Sequence, residues 1–240
     1  MNALWLERIT AYKNSPLALD SARVIIAIKA EHQSVLLKKY KQEGLVGKGT
    51  VTDSNSLLLY EARAAKHFWQ TYKKMLPNWT NFPGRRAHAK DATNILLDIG
   101  YHHLATKVAK ILQTHNVTLA PALFHVAHKE KSAPLVYDLM EMFRSDLVDV
   151  EVLKFLRLKK LATQEINQGD ISKLLARINK RLLNKYFLRD FGQCHTYEYY
   201  MELQIIKFIK AVNHKEVFRP LHLPARHETR CTCNTSVDVT

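Results

Sequence analysis

Apolar residues recur every three to four positions along most of the chain, and no stretch of useful length alternates apolar with polar as a half-buried strand does. The pattern predicts an all-α fold, a helical bundle with helices at about 2–13, 17–43, 54–76, 90–115, 133–160, 168–190 and 195–213. Boundary residues agree: Asp53 and Ser54 precede the third helix, Asp91 opens the fourth and Asn116 closes it, and Pro134 sits where a first turn tolerates a missing amide. Two connections collect helix breakers, residues 44–54 and residues 76–90, the second with Pro77, Asn78, Asn81, Pro83 and Gly84. Periodicity fades from about Leu221 to Thr240, so the chain reads as one helical domain over 1–220 followed by a flexible tail over 221–240.

Several polar residues interrupt this pattern. At about 100° per residue, Leu57, Ala64, Ala65, Phe68, Tyr72 and Met75 share one stripe of the third helix, and Glu61 falls in its middle. An ionised carboxylate there must meet a cation or a metal, or take up a proton. A buried ion pair with an arginine would serve as well as a metal. In SAPLVYDLMEMFRSDLVD the apolar stripe is Leu135, Leu139, Met142, Phe143 and Val150, with Asp138 and Asp149 on its flank. Glu141 follows Asp138 by one helical step, and two carboxylates that close repel unless a cation lies between them. A solvated acidic face near a helix N-terminus is the plainer explanation. His125 ends the apolar run LAPALF, and His128 follows three positions later. A histidine with carboxylates and no thiolate suits Mg2+ or Mn2+ at a phosphate better than structural zinc.

The turn ahead of the fourth helix carries Arg85, Arg86, His88 and Lys90, guanidiniums and free helix amides being an expected phosphate site. Asn94 points into that helix's apolar stripe with Leu97, Tyr101 and Val108, and needs a partner: Glu61 or the loop.

Charge sharpens the picture. The 240 residues hold 36 lysines and arginines against 22 acids, a formal charge of +14, which favours a polyanionic partner. Three cysteines, Cys194, Cys231 and Cys233, suggest no disulfide framework, and His227 with the last two matches no common zinc finger. A phosphate-binding P-loop, a dinucleotide turn and a serine-esterase elbow are missing from the sequence, as are a signal peptide and a membrane span; a cytoplasmic protein is expected.

Taken in order, YEARAAKHFW around Glu61, FPGRRAHAKDATNILLDIGY, LFH at His125 and SAPLVYDLMEMFRSDLVD resemble the motifs of the CRISPR-adaptation integrase family. ARVIIAIKAEHQSVLLKK also resembles that family's long helix with its Lys and Gln, so the resemblance covers approximately residues 17–160. It implies the helical catalytic domain of such an integrase, with Glu61, His125 and Glu141 as ligands of Mg2+ or Mn2+ and Asp138 as an accompanying acid. Two departures stand out: Ala122-Leu123 where glycine usually precedes the histidine, with a longer spacing to the acids, and His128 as a second candidate ligand. The family's usual N-terminal β-domain has no counterpart ahead of the helices, which is closest to the compact integrases of minimal systems.

The resemblance implies a prokaryotic enzyme that joins prespacer 3′-hydroxyls to the repeat boundaries of a CRISPR array by transesterification. Its expected partners are double-stranded DNA and further copies of itself, as a dimer or tetramer. A small ferredoxin-like adaptation partner serves many family members and can be dispensable in the compact ones. Arg85, Arg86, His88, Lys90 and Asn94 would form the nucleic-acid contact. A metal-dependent nuclease acting on branched DNA and a non-catalytic helical nucleic-acid binder are the competing expectations.

Overall fold

The computed structural model describes residues 3–44, 51–123, 133–159, 165–188 and 190–221. Eight α-helices lie among them: α1 (Ala3–Lys13), α2 (Pro16–Lys39), α3 (Ser54–Met75), α4 (Ala92–Thr114), α5 (Pro134–Met140), α6 (Val150–Leu158), α7 (Gln168–Leu183) and α8 (Tyr197–His214). Among the described residues the fold is all-α but for one small hairpin, in which β1 (Lys185–Leu188) pairs antiparallel with β2 (Gln193–Thr196).

The caps explain where the helices begin and end. Asp53 and Ser56 form a reciprocal capping box at α3, and Asn167 with Asp170 does the same at α7. Asp91 accepts the amide of Asn94 at the start of α4. That helix stops because Asn116 turns left-handed (φ 56°), its amide reaching Gln113 and the next amide reaching Leu112. Asparagine tolerates this conformation better than most residues.

Two expected helices are corrected. The segment 133–160 is not one helix: α5 gives way to a turn, then to a π-helical stretch, Ser145–Asp149, before α6 resumes. One extra residue per turn shifts the phase of the stripe, and all five residues of the stretch are buried. Likewise 168–190 ends early, because Asn184 stops α7 and the chain folds back through Gly192 (φ 63°) into the hairpin, with α8 starting where Thr196 caps Tyr199. Of the expected tail over 221–240, residues 222–240 lie outside the described residues, and Leu221 is buried and donates its amide to Gln204 Oε1 at 2.8 Å. Cys194 on β2 is disulfide-bonded, which the odd cysteine count did not foretell.

A continuous core joins α1, α2 and α8 to α4–α7. The seam between α4 and the π-helical stretch runs through it. A Cβ added at Gly100 would stand 2.5 Å from Val148 Cγ1, so only glycine lets α4 approach this closely. The residue after it, Tyr101, is thereby pressed against Asp149.

Candidate active site

Glu61 on α3 and Glu141, at the C-terminal end of α5, are 80 positions apart in sequence and meet at one nitrogen. Lys29 Nζ, from α2, lies 2.6 Å from Glu61 Oε1 and 2.8 Å from Glu141 Oε2. The two carboxylate oxygens therefore lie no farther apart than the sum of those lengths. The side chains of Lys29, Glu61 and Glu141 are 11%, 14% and 5% exposed, so the triad is largely shielded from water. Burial by itself would lower the ammonium's pKa, but Glu141 and Glu61 outweigh it and hold the value above that of an ordinary lysine.

Arg144 completes the frame. Its guanidinium pairs with the other oxygen of Glu141 and lies over the Tyr101 ring, 4.1 Å from the centroid. Beneath the ring the Tyr101 hydroxyl donates to Asp149 Oδ1 at 2.5 Å, while Ser145 Oγ donates to Oδ2 at 2.8 Å. Burial pushes the Asp149 carboxyl above its usual range, although Arg144 and both hydroxyls pull the other way. The π-helical stretch places Ser145 and Asp149 on this side of the chain, and a cleft of about 190 Å³ opens beside them, walled by Lys29, Gln33, Ala65 and Trp69.

The remaining expected residues fall in three places. Asp138, fully buried on α5, accepts the backbone amide of Leu123 at 2.5 Å and so fastens the chain two residues ahead of His125. His125 and His128 lie outside the described residues. Asp138 and Glu141 hold different donors: the Leu123 amide for one, Lys29 and Arg144 for the other.

The basic turn is tied down more than expected. Arg85 pairs with Asp98 at 2.5 Å, donates to Asn94 Oδ1 at 3.0 Å and lies 5.2 Å from the Tyr101 centroid. Asn94 is fully buried; its amide nitrogen donates to Gly84 O and Asp91 Oδ2, and its oxygen also accepts from the Arg86 backbone. Of the two partners open to it, the loop is the one it has, and its burial removes it from direct contact with nucleic acid. The α4 amide of Asn94, expected free for a phosphate, is taken by Asp91. Arg86, His88 and Lys90 remain exposed.

Sequence reasoning missed Arg144 and the role of Asp149, and met Lys29 only inside the long-helix motif, with no place in the site. Lys29 carried the same signal as Glu61, a charged residue on a helix whose neighbours Ile25, Ile26, Gln33 and Leu36 are buried. Of the alternatives left open for Glu61, an ion pair is present, made by a lysine, while an arginine holds Glu141.

Converging carboxylate oxygens are the hard donors that Mg2+ and Mn2+ take, so Glu61 and Glu141 fit such an ion as two of the three ligands the resemblance implies. Among the described residues no group of three His, Cys, Asp or Glu side chains could hold an ion alone. The third ligand that the resemblance implies is His125.

An all-α domain that gathers two distant glutamates around one cation position, with exposed basic residues on the turn ahead of α4, defines the class: a helical domain with a carboxylate-centred charge site. The chain belongs to the family described as CRISPR associated protein Cas1, whose model matches residues 2–187. A "CRISPR-associated endonuclease Cas1 1" of Saccharolobus solfataricus is 31% identical over 171 residues, 64% of this chain and 47% of that protein. Its namesake in Archaeoglobus fulgidus is 29% identical over 134 residues, 53% of this chain and 39% of that protein. The chain thus spans less than half the length of these two curated relatives. A casposase bound to its integration product shares the fold at a TM-score of 0.75 and 17% identity, over 95% of this chain and 72% of that one. A Cas1 protein from Thermotoga maritima does so at 0.76 and 16%, over 91% and 74%. No helix among the described residues is long and apolar enough to cross a membrane.

Proposed function

We propose that this chain is a CRISPR spacer integrase that joins DNA 3′-hydroxyls to phosphodiesters at repeat boundaries, using Mg2+ or Mn2+. The observation that carries the reading is the meeting of Glu61 and Glu141 at one cation position. Family membership supports DNA chemistry, and the casposase, caught on an integration product, supports joining as the reaction of this fold. The curated relatives are named endonucleases, which favours a second outcome at the same site: cleavage, when water replaces the 3′-hydroxyl.

When bound, the ion would act as a Lewis acid toward the phosphoryl oxygens and ease loss of the attacking hydroxyl's proton. The chain's residues supply the rest. Glu61, Glu141 and His125 would hold the ion. Arg144 fixes the Glu141 carboxylate by occupying one of its oxygens, and Tyr101 fixes Arg144 from below. Asp138 anchors the segment that leads to His125. Arg86, His88 and Lys90 would grip the DNA backbone, with affinity falling steeply in salt, while Arg85 and Asn94 brace the turn that presents them. Insertion at both ends of a repeat needs two active sites, so the working form would be a homo-oligomer, and a ferredoxin-like partner could bridge its dimers.

A supercoiled array plasmid, a labelled prespacer duplex and Mn2+ test the reading on a gel. The wild-type chain should give joined products; Glu61→Ala and His125→Ala should give none. Joining that persists in either variant contradicts the assignment, and cleavage without joining selects the nuclease.

A further inference from the structure

The ammonium of Lys29 stands where a divalent cation would stand. It touches one oxygen of each glutamate, at 2.6 and 2.8 Å, in a pocket largely closed to water. A metal ion and an ammonium cannot both sit between these oxygens, because each takes the same lone pairs and like charges repel. Where the ammonium could go is also visible. Gln33 lies one helical turn along α2 from Lys29, is 3% exposed and lines the adjoining cleft of about 190 Å³. Residues four apart on a helix are neighbours, and the lysine stem is long and flexible, so its head can swing from the glutamates to the Gln33 carbonyl oxygen. Asp149 and Ser145 line the same cleft and would help to receive the charge.

We propose that Lys29 is an internal counter-ion that holds Glu61 and Glu141 together in the metal-free protein and yields its place to the divalent cation by moving to Gln33. Cation binding is then an exchange, and its affinity is reduced by the cost of displacing the lysine. The device keeps two buried carboxylates from repelling each other when no metal is present. It rests on the proposed metal site, and its consequences can be separated from that site's existence.

The test is calorimetric titration of the full chain with Mn2+, and needs no DNA. Lys29→Met removes the competitor, so Mn2+ should bind about tenfold or more tightly than to wild type. Gln33→Leu removes the refuge and should weaken binding severalfold, but should change nothing when combined with Lys29→Met. A merely structural Gln33 would act equally in both backgrounds. Should Lys29→Met be unstable without metal, the wild-type protein still decides. The 15N-detected Lys29 ammonium resonance should shift in step with Mg2+ saturation, and an unchanged resonance at saturation overturns the exchange. Equal or weaker Mn2+ binding by Lys29→Met also overturns it while leaving the metal site standing. No Mn2+ binding by either protein removes both the exchange and the site on which it rests.

Discussion

Asp138 Oδ2 accepts the backbone amide of Leu123 at 2.5 Å, so the acidic helix is fastened to the segment that leads into His125. Both groups are buried, and losing the carboxylate would strand a buried donor. Asp138→Ala should therefore cost about 1–3 kcal/mol of stability in urea unfolding. Asp138→Asn keeps a carbonyl oxygen and should cost distinctly less. Equal losses in the two variants would mean that charge, not the bond to Leu123, is what Asp138 supplies.

Tyr101 and Asp149 make a pH-dependent pair. Burial raises the Asp149 pKa, so the stability this proton contributes is present below the ordinary carboxylate value of 3.8 and is lost as pH rises through the folded value. The Tyr101 hydroxyl favours the ionised form, and Tyr101→Phe raises the folded value further. The variant should lose about 1.5–3 kcal/mol at pH 7, the worth of a hydrogen bond to a charged group. The deficit should shrink toward pH 4 in parallel urea titrations; a deficit that grows on acidification would contradict the assignment.

Gly100 tests the seam that positions Tyr101. With Val148 Cγ1 2.5 Å from an added Cβ, Gly100→Ala must push α4 from the π-helical stretch, costing about 1–3 kcal/mol. Gly100→Ala with Val148→Ala should recover part of the loss, and thermal unfolding of the single and double variants measures it.

The basic turn separates bracing from contact. Arg86→Ala and Lys90→Ala should leave the melting temperature unchanged but weaken DNA binding, each lowering the slope of log affinity against log salt by about 1. Asn94→Ala removes the acceptor shared by Arg85 and the Arg86 amide and should destabilise the fold. Fluorescence anisotropy at several salt concentrations, beside melting curves, distinguishes the two behaviours.

The helices were legible because each buries one long stripe and carries a cap such as Asp53 or Asp91. The π-helical stretch was not, since a single added residue in Ser145–Asp149 leaves the surrounding apolar spacing almost intact. The hairpin escaped because its strands have four residues each, too short for alternation to emerge, and Gly192 was its one local sign. Within the site, Glu61 announced itself as a carboxylate in an apolar stripe. Its meeting with Lys29 and Glu141 depends on the packing of three separate helices, which no local pattern encodes. The family resemblance rested on four ordered motifs, around Glu61, the basic turn, His125 and the acidic helix, and family membership bears out that likeness without fixing the histidine's position.

The most direct test of the central claim is an anomalous diffraction map from crystals of this chain soaked in Mn2+. A single anomalous peak within about 2.0–2.6 Å of oxygens of both Glu61 and Glu141, the usual length of hard-cation bonds to oxygen, with the Lys29 head turned away, is the result expected. Saturating Mn2+ with no peak there, and Lys29 still bridging the two carboxylates, would contradict it.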